Sequence, residues 1–342
     1  MLFPKNGLAL APMRALTQPP FWRVLNRYGA PDAYFSEFVR VHENYVVETE
    51  WIEASLEAAE GHPLWIQLMG NDSSALAASV HILEKYPIAG IDFNVGCPIP
   101  KIFKKQAGGG LLRDLPFLRE LLLNLRAACS KPLSVKFRLG FDSSEHLEAI
   151  IQILNEAKID LATLHARTVR DLYRGKPRYD LIQRVVPFCS FPLLANGSIN
   201  DLEAIADVLK TTQCHGIMLG RAAVCNPWIF SQWHALQKNE QIFYPKFCDV
   251  FHYLEVIFEE FHLESKGMLN ALGCMKRFAN YVGLSVDPQG DFLKQMRRTQ
   301  TLKQFWKCCA DFLLTDSEKI FTGKIFESLL AQPNKESECG VN

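Results

Sequence analysis

Gly90-Ile91-Asp92-Phe93-Asn94-Val95-Gly96-Cys97-Pro98 joins a short apolar strand, residues 90–94, to a loop that carries a cysteine. Gly96 lets a ligand approach the backbone closely, and Pro98 stiffens the turn. The same arrangement, an apolar strand with polar residues or glycine at its end, recurs along the chain. This recurrence indicates the fold more strongly than any single residue does.

Eight strands of this kind alternate with helical patterns. The predicted strands cover residues 8–11, 33–38, 64–68, 90–94, 133–138, 161–165, 192–195 and 216–219. The helical patterns between them include residues 74–85, 115–128, 146–157 and 202–209. This alternation implies parallel pairing and predicts an α/β fold, a closed (β/α)8 TIM barrel. A doubly wound open sheet competes, but it requires a G-x-G-x-x-G turn where Ala11-Pro12-Met13-Arg14 stands.

The strand alternation stops after Gly220. Helical patterns alone follow, at residues 247–262, 273–282 and 291–314. This change predicts a barrel domain over residues 1–240 and a small C-terminal all-helical domain over residues 241–331. The last residues, 332–342, are rich in Asn, Glu, Ser and Gly, so we expect a disordered tail.

Composition is that of a well-packed globular protein. Hydrophobic residues make up 48% of the 342 residues and charged residues 22%. No apolar run reaches the ~18 residues of a membrane span, and residues 1–11 lack the regions of a secretory signal. We therefore expect a cytoplasmic protein with no membrane partner. Nothing implies a protein partner, so a monomer is expected.

The ten cysteines and the balanced charge exclude some classes of site. No cysteine lies in a C-x-x-C motif or at zinc spacing from histidines, so we expect no metal. Most cysteines are interpreted as small buried apolar residues, with Cys97 as the exception. Lys plus Arg equals Asp plus Glu at 37 each, but the cations cluster: five fall between Phe292 and Ala310 with no acid among them. Further clusters follow Cys97 and the strand at residues 161–165.

Distinctive polar residues fall where the barrel's active site is expected, at the carboxyl ends of the strands. Glycines after the last two strands predict a phosphate site, formed by Gly197, Ser198, Gly220 and Arg221. The other strand-end residues are Gln67, Asn94, Cys97, Lys136, Arg138, His165, Arg167 and Asn196. A flavin would suit this set, because a lysine and a histidine can stabilise the negative charge of its reduced form.

Cys97 could act as an acid, since a thiol with an ordinary pKa is protonated at neutral pH. Structural interpretations stay open for several neighbours. His165 could be a hydrogen-bonded core histidine, and Asn94 could hold a loop together. Arg138 and Arg167 could form ion pairs with acids at the rim of the barrel.

The order of these motifs resembles that of the tRNA-dihydrouridine synthases. The resemblance covers residues 8 to 230, and the helical C-terminal part fits the RNA-binding domain of that family. The motifs that carry it are Ala11-Pro12-Met13, Ser36-Glu37-Phe38, Gln67-Leu68-Met69-Gly70, residues 94–98, Lys136 with Arg138, His165 with Arg167-Thr168, Asn196-Gly197 and Gly220-Arg221. Each motif is weak alone, but their order is specific.

The resemblance implies an enzyme that reduces the C5–C6 bond of a uracil in tRNA, using FMN reduced by NADPH or NADH. Cys97 would protonate C5. The implied FMN-binding residues are Pro12, Met13, Gln67, Lys136, His165, Asn196, Gly197, Ser198, Gly220 and Arg221. The implied substrate-binding residues are Phe38, Asn94, Arg138, Arg167, Lys276, Arg277, Arg297 and Arg298.

Residues 36–41 look like those of the bacterial C type, which modifies uridine 16 of the D-loop; other types typically carry methionine where Phe38 stands. Two other classes stay open. An FMN reductase of a small molecule, similar to dihydroorotate dehydrogenases, would leave the helical domain and its basic run unexplained. A non-catalytic RNA-binding protein would leave Cys97, Lys136 and His165 unexplained.

Overall fold

The computed structural model describes residues 2–43, 47–264 and 271–330. The predicted tail, residues 332–342, lies outside them. The strands are β1 (Gly7–Leu10), β2 (Ala33–Phe35), β3 (Val39–Arg40), β4 (Leu64–Met69), β5 (Gly90–Val95), β6 (Leu133–Arg138), β7 (Leu161–His165), β8 (Leu193–Asn196) and β9 (Gly216–Leu219).

Helices follow the strands and continue alone after β9. The α-helices are α1 (Pro19–Tyr28), α2 (Thr49–Ala58), α3 (Ser73–Leu83), α4 (Pro100–Phe103), α5 (Leu115–Ala128), α6 (Leu147–Glu156), α7 (Tyr179–Val185), α8 (Leu202–Thr212), α9 (Arg221–Cys225), α10 (Ile229–Lys238), α11 (Phe247–Glu264), α12 (Ala271–Val282), α13 (Asp291–Arg298), α14 (Leu302–Leu313) and α15 (Glu327–Leu330). Two 3-10 helices span Gly108–Arg113 and Val186–Phe188.

The strands form one closed parallel barrel. Their order is β2-β1-β9-β8-β7-β6-β5-β4-β3, and a further pairing of β2 with β4 closes the ring. Every ladder in it is parallel. The short strand β3 adds only to β4, so eight strands make the barrel. The predicted (β/α)8 fold is confirmed, and closure excludes the doubly wound open sheet.

The barrel has an apolar part and a polar part. Small and aromatic side chains fill the apolar part, where Phe35 stacks on Trp65 with ring centroids 5.5 Å apart. The residues of this core cluster are Phe3, Ala9, Ala11, Ala33, Phe35, Trp65, Leu161, Leu194 and Met218. The strands β4 to β7 also bury the polar residues Gln67, Asp92, Ser134 and Thr163. Because burying a polar group costs free energy unless it is compensated, the polar part indicates function.

The second strand is shorter than predicted, because it contains a bulge. Phe35 pairs with Trp65 and Val39 pairs with Leu68, so four steps along one strand match three along the other. Ser36, at the bulge, is buried, and its hydroxyl accepts the backbone N–H of Gln67 at 2.9 Å. The side chain thus replaces a ladder partner, and the chain at Phe38 is free to leave the sheet.

The single helix predicted over residues 291–314 is wrong, since α13 and α14 are separate. Thr301 caps α14 by accepting the N–H of Gln304, and the Gln304 side chain accepts the N–H of Gln300. This pattern is close to the capping box, S/T-x-x-E/Q, which the sequence Thr301-Leu302-Lys303-Gln304 contains.

The chain divides into two compact units, residues 1–199 with 203–220, and residues 200–202 with 221–342. Within the second unit, aromatic side chains pack α11 on α12 and α14. Phe261 contacts Phe278 at 5.1 Å between ring centroids, and Phe258 meets Trp306 edge-on at 5.8 Å. Helices α9 and α10 group with this unit, and the predicted domain boundary at residue 240 stays a prediction. In the described ranges no helix has the length and apolar character that crossing a membrane requires.

We expect Ser36→Ala to lower the free energy of unfolding by about 1–3 kcal/mol, because it leaves the buried N–H of Gln67 without an acceptor. Urea denaturation followed by tryptophan fluorescence would measure the loss. Ser79→Ala is the matched control: its buried hydroxyl only donates to Ala75 O within α3. Equal losses in the two variants would show that the bulge bond adds nothing.

Candidate active site

Cys97 lies just beyond the carboxyl end of β5, in a loop of residues 96–99 that we call the Cys97 loop. Its side chain is 9% exposed and packs with Met69 and Ile102. Phe38, released from the sheet by the bulge, packs against the same cluster. The structure therefore places Phe38 and Cys97 in one cluster, and their predicted roles stay predictions.

The Cys97 loop is held from both sides. The Asn94 side-chain oxygen accepts the N–H groups of Gly96 and Cys97, at 3.1 and 2.9 Å. The Cys97 carbonyl accepts the N–H of Gly109 at 3.0 Å. Gly108 adopts a φ of 55°, and a Cβ there would lie 2.9 Å from the Cβ of Cys97. Asn94 thus holds the loop together, the structural role left open above, and the glycines fit closely beneath the cysteine.

Lys136, His165 and Asn196 form a second group. The Asn196 side-chain oxygen receives Lys136 Nζ at 3.3 Å and His165 Nδ1 at 2.7 Å. The Asn196 amide nitrogen donates to Met218 O at 2.8 Å, which assigns the oxygen to the lysine and histidine side. His165 must then carry its proton on Nδ1.

The surroundings of these groups shift their pKa values in a consistent way. Lys136 is partly exposed, yet burial of its stem and amine, with Arg138 nearby, lowers its pKa to about 8. Burial, then Arg138 and Lys136, lowers the pKa of His165 well below its usual value. Burial raises the pKa of the Cys97 thiol against the opposing effect of the Ile99 N–H and the nearby cations. At neutral pH the site therefore holds a charged lysine, a neutral histidine and a protonated thiol.

Arg138 and Arg167 are buried, and Arg138 makes no ion pair within the described residues. Arg138 donates to the carbonyls of Gly96, Thr168 and Leu172. Arg167 donates to the carbonyls of Arg174 and Gly175 and to the Ser198 hydroxyl. The rim ion pair considered as an alternative is therefore wrong for Arg138, and for Arg167 it stays untested. Both guanidinium groups hold the loop after β7.

The predicted phosphate site begins at the end of β8. Gly197 has a φ of 117°, and a Cβ there would lie 3.2 Å from His165 Nε2, so only glycine lets the chain pass this close to the imidazole. Ser198, with a φ of 54°, follows it, and the Tyr179 hydroxyl donates to Gly197 O.

At the neighbouring strand β9, Gly220 faces the Met13 side chain. Met13 is held by Thr17, whose hydroxyl accepts its N–H at 2.7 Å. Pro12 and Met13 are both partly buried. Arg221, predicted with Gly220, is the first residue of α9 and belongs to the second unit.

Four of the predicted substrate-binding residues lie on helices of the second unit: Lys276 and Arg277 on α12, and Arg297 and Arg298 on α13. Arg277 and Arg298 are exposed. Lys276 donates to the carbonyls of Arg297 and Thr299 at the end of α13, and Arg297 donates to Asn280 at 2.7 Å. Lys276 and Arg297 therefore also stabilise the helix pair.

The positive charge of the segment from Phe292 to Ala310 is partly compensated by acids that lie outside it. Asp291 pairs with Lys294 at 2.9 Å, and Asp311 pairs with Lys307 at 2.8 Å. Both acids lie just outside the segment and one helical turn from their partners, so the side chains meet.

Sequence reasoning missed two residues of the first unit. Asp92 is buried inside the barrel and accepts Gln67 Nε2 at 2.6 Å. Its sequence position indicated this: Asp92 stands in an apolar strand two residues before Asn94, so both side chains point to the same face of the sheet. Tyr173 is 62% exposed, lies edge-on to His165, and has the Arg138 guanidinium 5.3 Å from its ring centroid. No local pattern identifies it, because it stands in an irregular loop.

Comparison with known proteins adds an independent finding. A family model described as "Dihydrouridine synthase (Dus)" matches residues 9–310. The chain is 33% identical over 248 residues to "tRNA-dihydrouridine synthase B" of Pseudomonas putida, covering 72% of this chain and 73% of that protein. It is 37% identical over 233 residues to "Probable tRNA-dihydrouridine synthase" of Helicobacter pylori, covering 67% and 70%. It is 32% identical over 242 residues to "tRNA-dihydrouridine synthase B" of Pasteurella multocida, covering 70% and 72%.

We expect the difference in free energy of unfolding between the unsubstituted protein and Lys136→Met to change with pH. It should shift in favour of the unsubstituted protein as the pH is raised from about 8 to about 10.5. The pKa of Lys136 is about 8 in the folded protein, below its ordinary value of 10.5. Between these values the unfolded chain binds the extra proton, so raising the pH favours the folded state. Urea denaturation of both proteins across this range measures the difference, and a constant difference would contradict the lowered pKa.

Proposed function

Because the chain belongs to the dihydrouridine synthase family, we propose that it reduces the C5–C6 double bond of a tRNA uridine to 5,6-dihydrouridine. The chain is an oxidoreductase of the tRNA-modifying type, and the predicted family is confirmed. The observation that carries the proposal is Cys97, a buried protonated thiol among cations at the end of a barrel strand. Family membership also favours this reaction over a small-molecule reductase or a non-catalytic RNA-binding protein.

FMN, reduced by NADPH or NADH, is the proposed cofactor. The residues present fit an anionic, flat, phosphate-bearing group. Lys136 supplies a cation, and Gly197 brings the backbone close to the His165 ring with no side chain between. The residues proposed to hold it are Pro12, Met13, Gln67, Lys136, His165, Asn196, Gly197, Ser198, Gly220 and Arg221. When bound and reduced, the flavin supplies the hydride that uracil C6 accepts.

Cys97 is proposed to give the proton that C5 needs. Burial raises the pKa of its thiol, so the proton is present at neutral pH. Lys136 and Arg138 then stabilise the thiolate left behind. The net reaction consumes one NADPH and one proton for each uridine and forms NADP⁺, and solvent protonates the thiolate again.

Residues around Cys97 are proposed to receive the uracil. Phe38 packs beside Cys97, and Asn94 and Arg138 both contact its loop, so these three would lie near the target base. Arg167 would add positive charge for a neighbouring phosphate. The base must leave its stack to reach them, which a folded tRNA loop allows.

The proposed target is uridine 16 of the D-loop, on the likeness of residues 36–41 to the C type. Two of the relatives named above, those of Pseudomonas putida and Pasteurella multocida, are instead named "tRNA-dihydrouridine synthase B". Mapping the modified position in the experiment below therefore tests the subgroup separately from the reaction.

The remaining assignments follow from a tRNA substrate. Residues 241–331 are proposed as the tRNA-binding domain, with Lys276, Arg277, Arg297 and Arg298 as phosphate contacts. Residues 1–240 are proposed as the FMN-binding catalytic domain. A cytoplasmic monomer would suit this function.

We expect unmodified tRNA incubated with the protein, FMN and NADPH to yield a uridine heavier by two hydrogens, detected by nucleoside mass spectrometry. Cys97→Ala should bind FMN, with its yellow absorbance, but lose most turnover, because C5 no longer receives a proton. Cys274→Ala, on α12, is the matched control and should keep activity. NADPH oxidation without a mass change would instead favour a small-molecule reductase.

We expect Arg298→Ala to raise the KM for tRNA and to reduce its dependence on salt, because one phosphate contact and its released counterion are lost. NADPH-dependent flavin reduction should not change, since it needs no tRNA. Lys307→Ala is the control, because Lys307 already pairs with Asp311. If both variants behave alike, the exposed arginine has no particular part in binding.

A further inference from the structure

A chain of hydrogen bonds runs from the barrel interior to the Cys97 loop. Gln67 Nε2 donates to Asp92 Oδ2 at 2.6 Å, and Asn94 Nδ2 donates to Gln67 Oε1 at 2.8 Å. Asn94 Oδ1 then accepts the N–H groups of Gly96 and Cys97. We call this series, Asp92 to Gln67 to Asn94 to Cys97, the interior chain.

The interior chain has a direction, and Asp92 sets it. A carboxylate only accepts hydrogen bonds, so the Gln67 amide must turn its nitrogen towards Asp92 and its oxygen towards Asn94. Asn94 must then donate to Gln67 and present its oxygen to the backbone. An amide at position 92 would remove this constraint, because either end of Gln67 could face it.

The reversed direction is incompatible with the Cys97 loop. If Gln67 turned over, Asn94 would have to turn as well, and its amide nitrogen would then face two backbone N–H donors. Asp92 and Gln67 have no exposed surface, and Asn94 is 8% exposed, so water cannot readily replace the lost bonds. Unsatisfied buried donors cost about 1–3 kcal/mol each.

Neighbouring polar and charged groups stabilise the negative charge of Asp92 against the cost of burial. Burial raises its pKa to about 6, while Gln67 and then Ser134 and Lys136 act in the opposite sense. The carboxyl group is therefore ionised at neutral pH. Ser134 lies near it but makes no hydrogen bond of normal geometry, so Asp92 Oδ1 has no partner among the described residues.

We propose that Asp92 is a positioning residue, which sets the direction of the interior chain and thereby holds the Cys97 loop in its working position. The consequence for proton donation rests on the proposed function, because it assumes that Cys97 supplies the proton. The positioning itself does not, since it concerns only contacts within this chain.

The test exchanges the side chains of Asp92 and Asn94, the two partners of Gln67 in the interior chain. Asp92→Asn alone removes the constraint at position 92 but leaves the one that the loop N–H groups impose, and Asn94→Asp alone places two acceptors against Gln67. In the Asp92→Asn/Asn94→Asp double variant the chain is complete again: the new amide donates to Gln67 Oε1, and Gln67 Nε2 donates to the new carboxylate. The other oxygen of that carboxylate accepts the N–H groups of Gly96 and Cys97.

Amide hydrogen exchange of the full-length protein, at Gly96 and Cys97, reads the result without any turnover. We expect Asn94→Asp to lose about tenfold or more in protection, which matches the loss of one hydrogen bond. Asp92→Asn should lose less, because its amide oxygen can still accept from Gln67 Nε2 in the original direction. The double variant should recover most of the protection lost in Asn94→Asp. Thr163→Val is the matched control, because it removes a buried hydroxyl with no partner among the described residues, and protection should be unchanged.

Unchanged protection in Asn94→Asp would overturn the proposal. So would a double variant no better protected than the worse single variant, or one that fails to fold, because the exchange should restore every bond. A double variant that folds where the single variants do not would support it. Absence of dihydrouridine formation would count against the proposed function alone and would leave the exchange result standing.

Discussion

The register of the parallel strands is the constraint on which the rest of the site depends. β6 sets Lys136 opposite Asn94, and β7 sets His165 opposite Arg138. β8 then sets Asn196 opposite His165. Because side chains alternate across a strand, a shift of one residue would turn these groups out of the barrel. Closure between β2 and β4 prevents such a shift, since a closed sheet has no free edge along which a strand can slide.

The polar part of the barrel combines excess positive charge with few compensating acids. Lys136, Arg138 and Arg167 converge there, while Asp92 lies below them. Arg138 is held by carbonyl groups, which satisfy its donors without cancelling its charge. Such a site attracts anions and keeps the neighbouring imidazole neutral. The same arrangement lets a thiol remain protonated at rest and still be stabilised once it has lost its proton.

Most of the fold could be predicted because its signals are local. The predicted and observed strands agree at residues 133–138, 161–165 and 216–219. The second strand was predicted too long, because a bulge depends on the neighbouring strand and leaves no pattern of its own. The helix break before Leu302 was visible as a capping sequence, but a continuous helical pattern outweighed it.

The sequence by itself determined the barrel, its family and the set of strand-end residues, because strand parity and motif order are properties of short segments. Only the tertiary structure decided how those residues use their polar atoms. Gln67 turns its nitrogen to Asp92, 25 residues away, and Asn196 shares its oxygen with Lys136, 60 residues away. Arg138 binds carbonyls rather than acids. These choices could not be inferred from the sequence, because each requires partners that only the closed barrel brings within hydrogen-bonding distance.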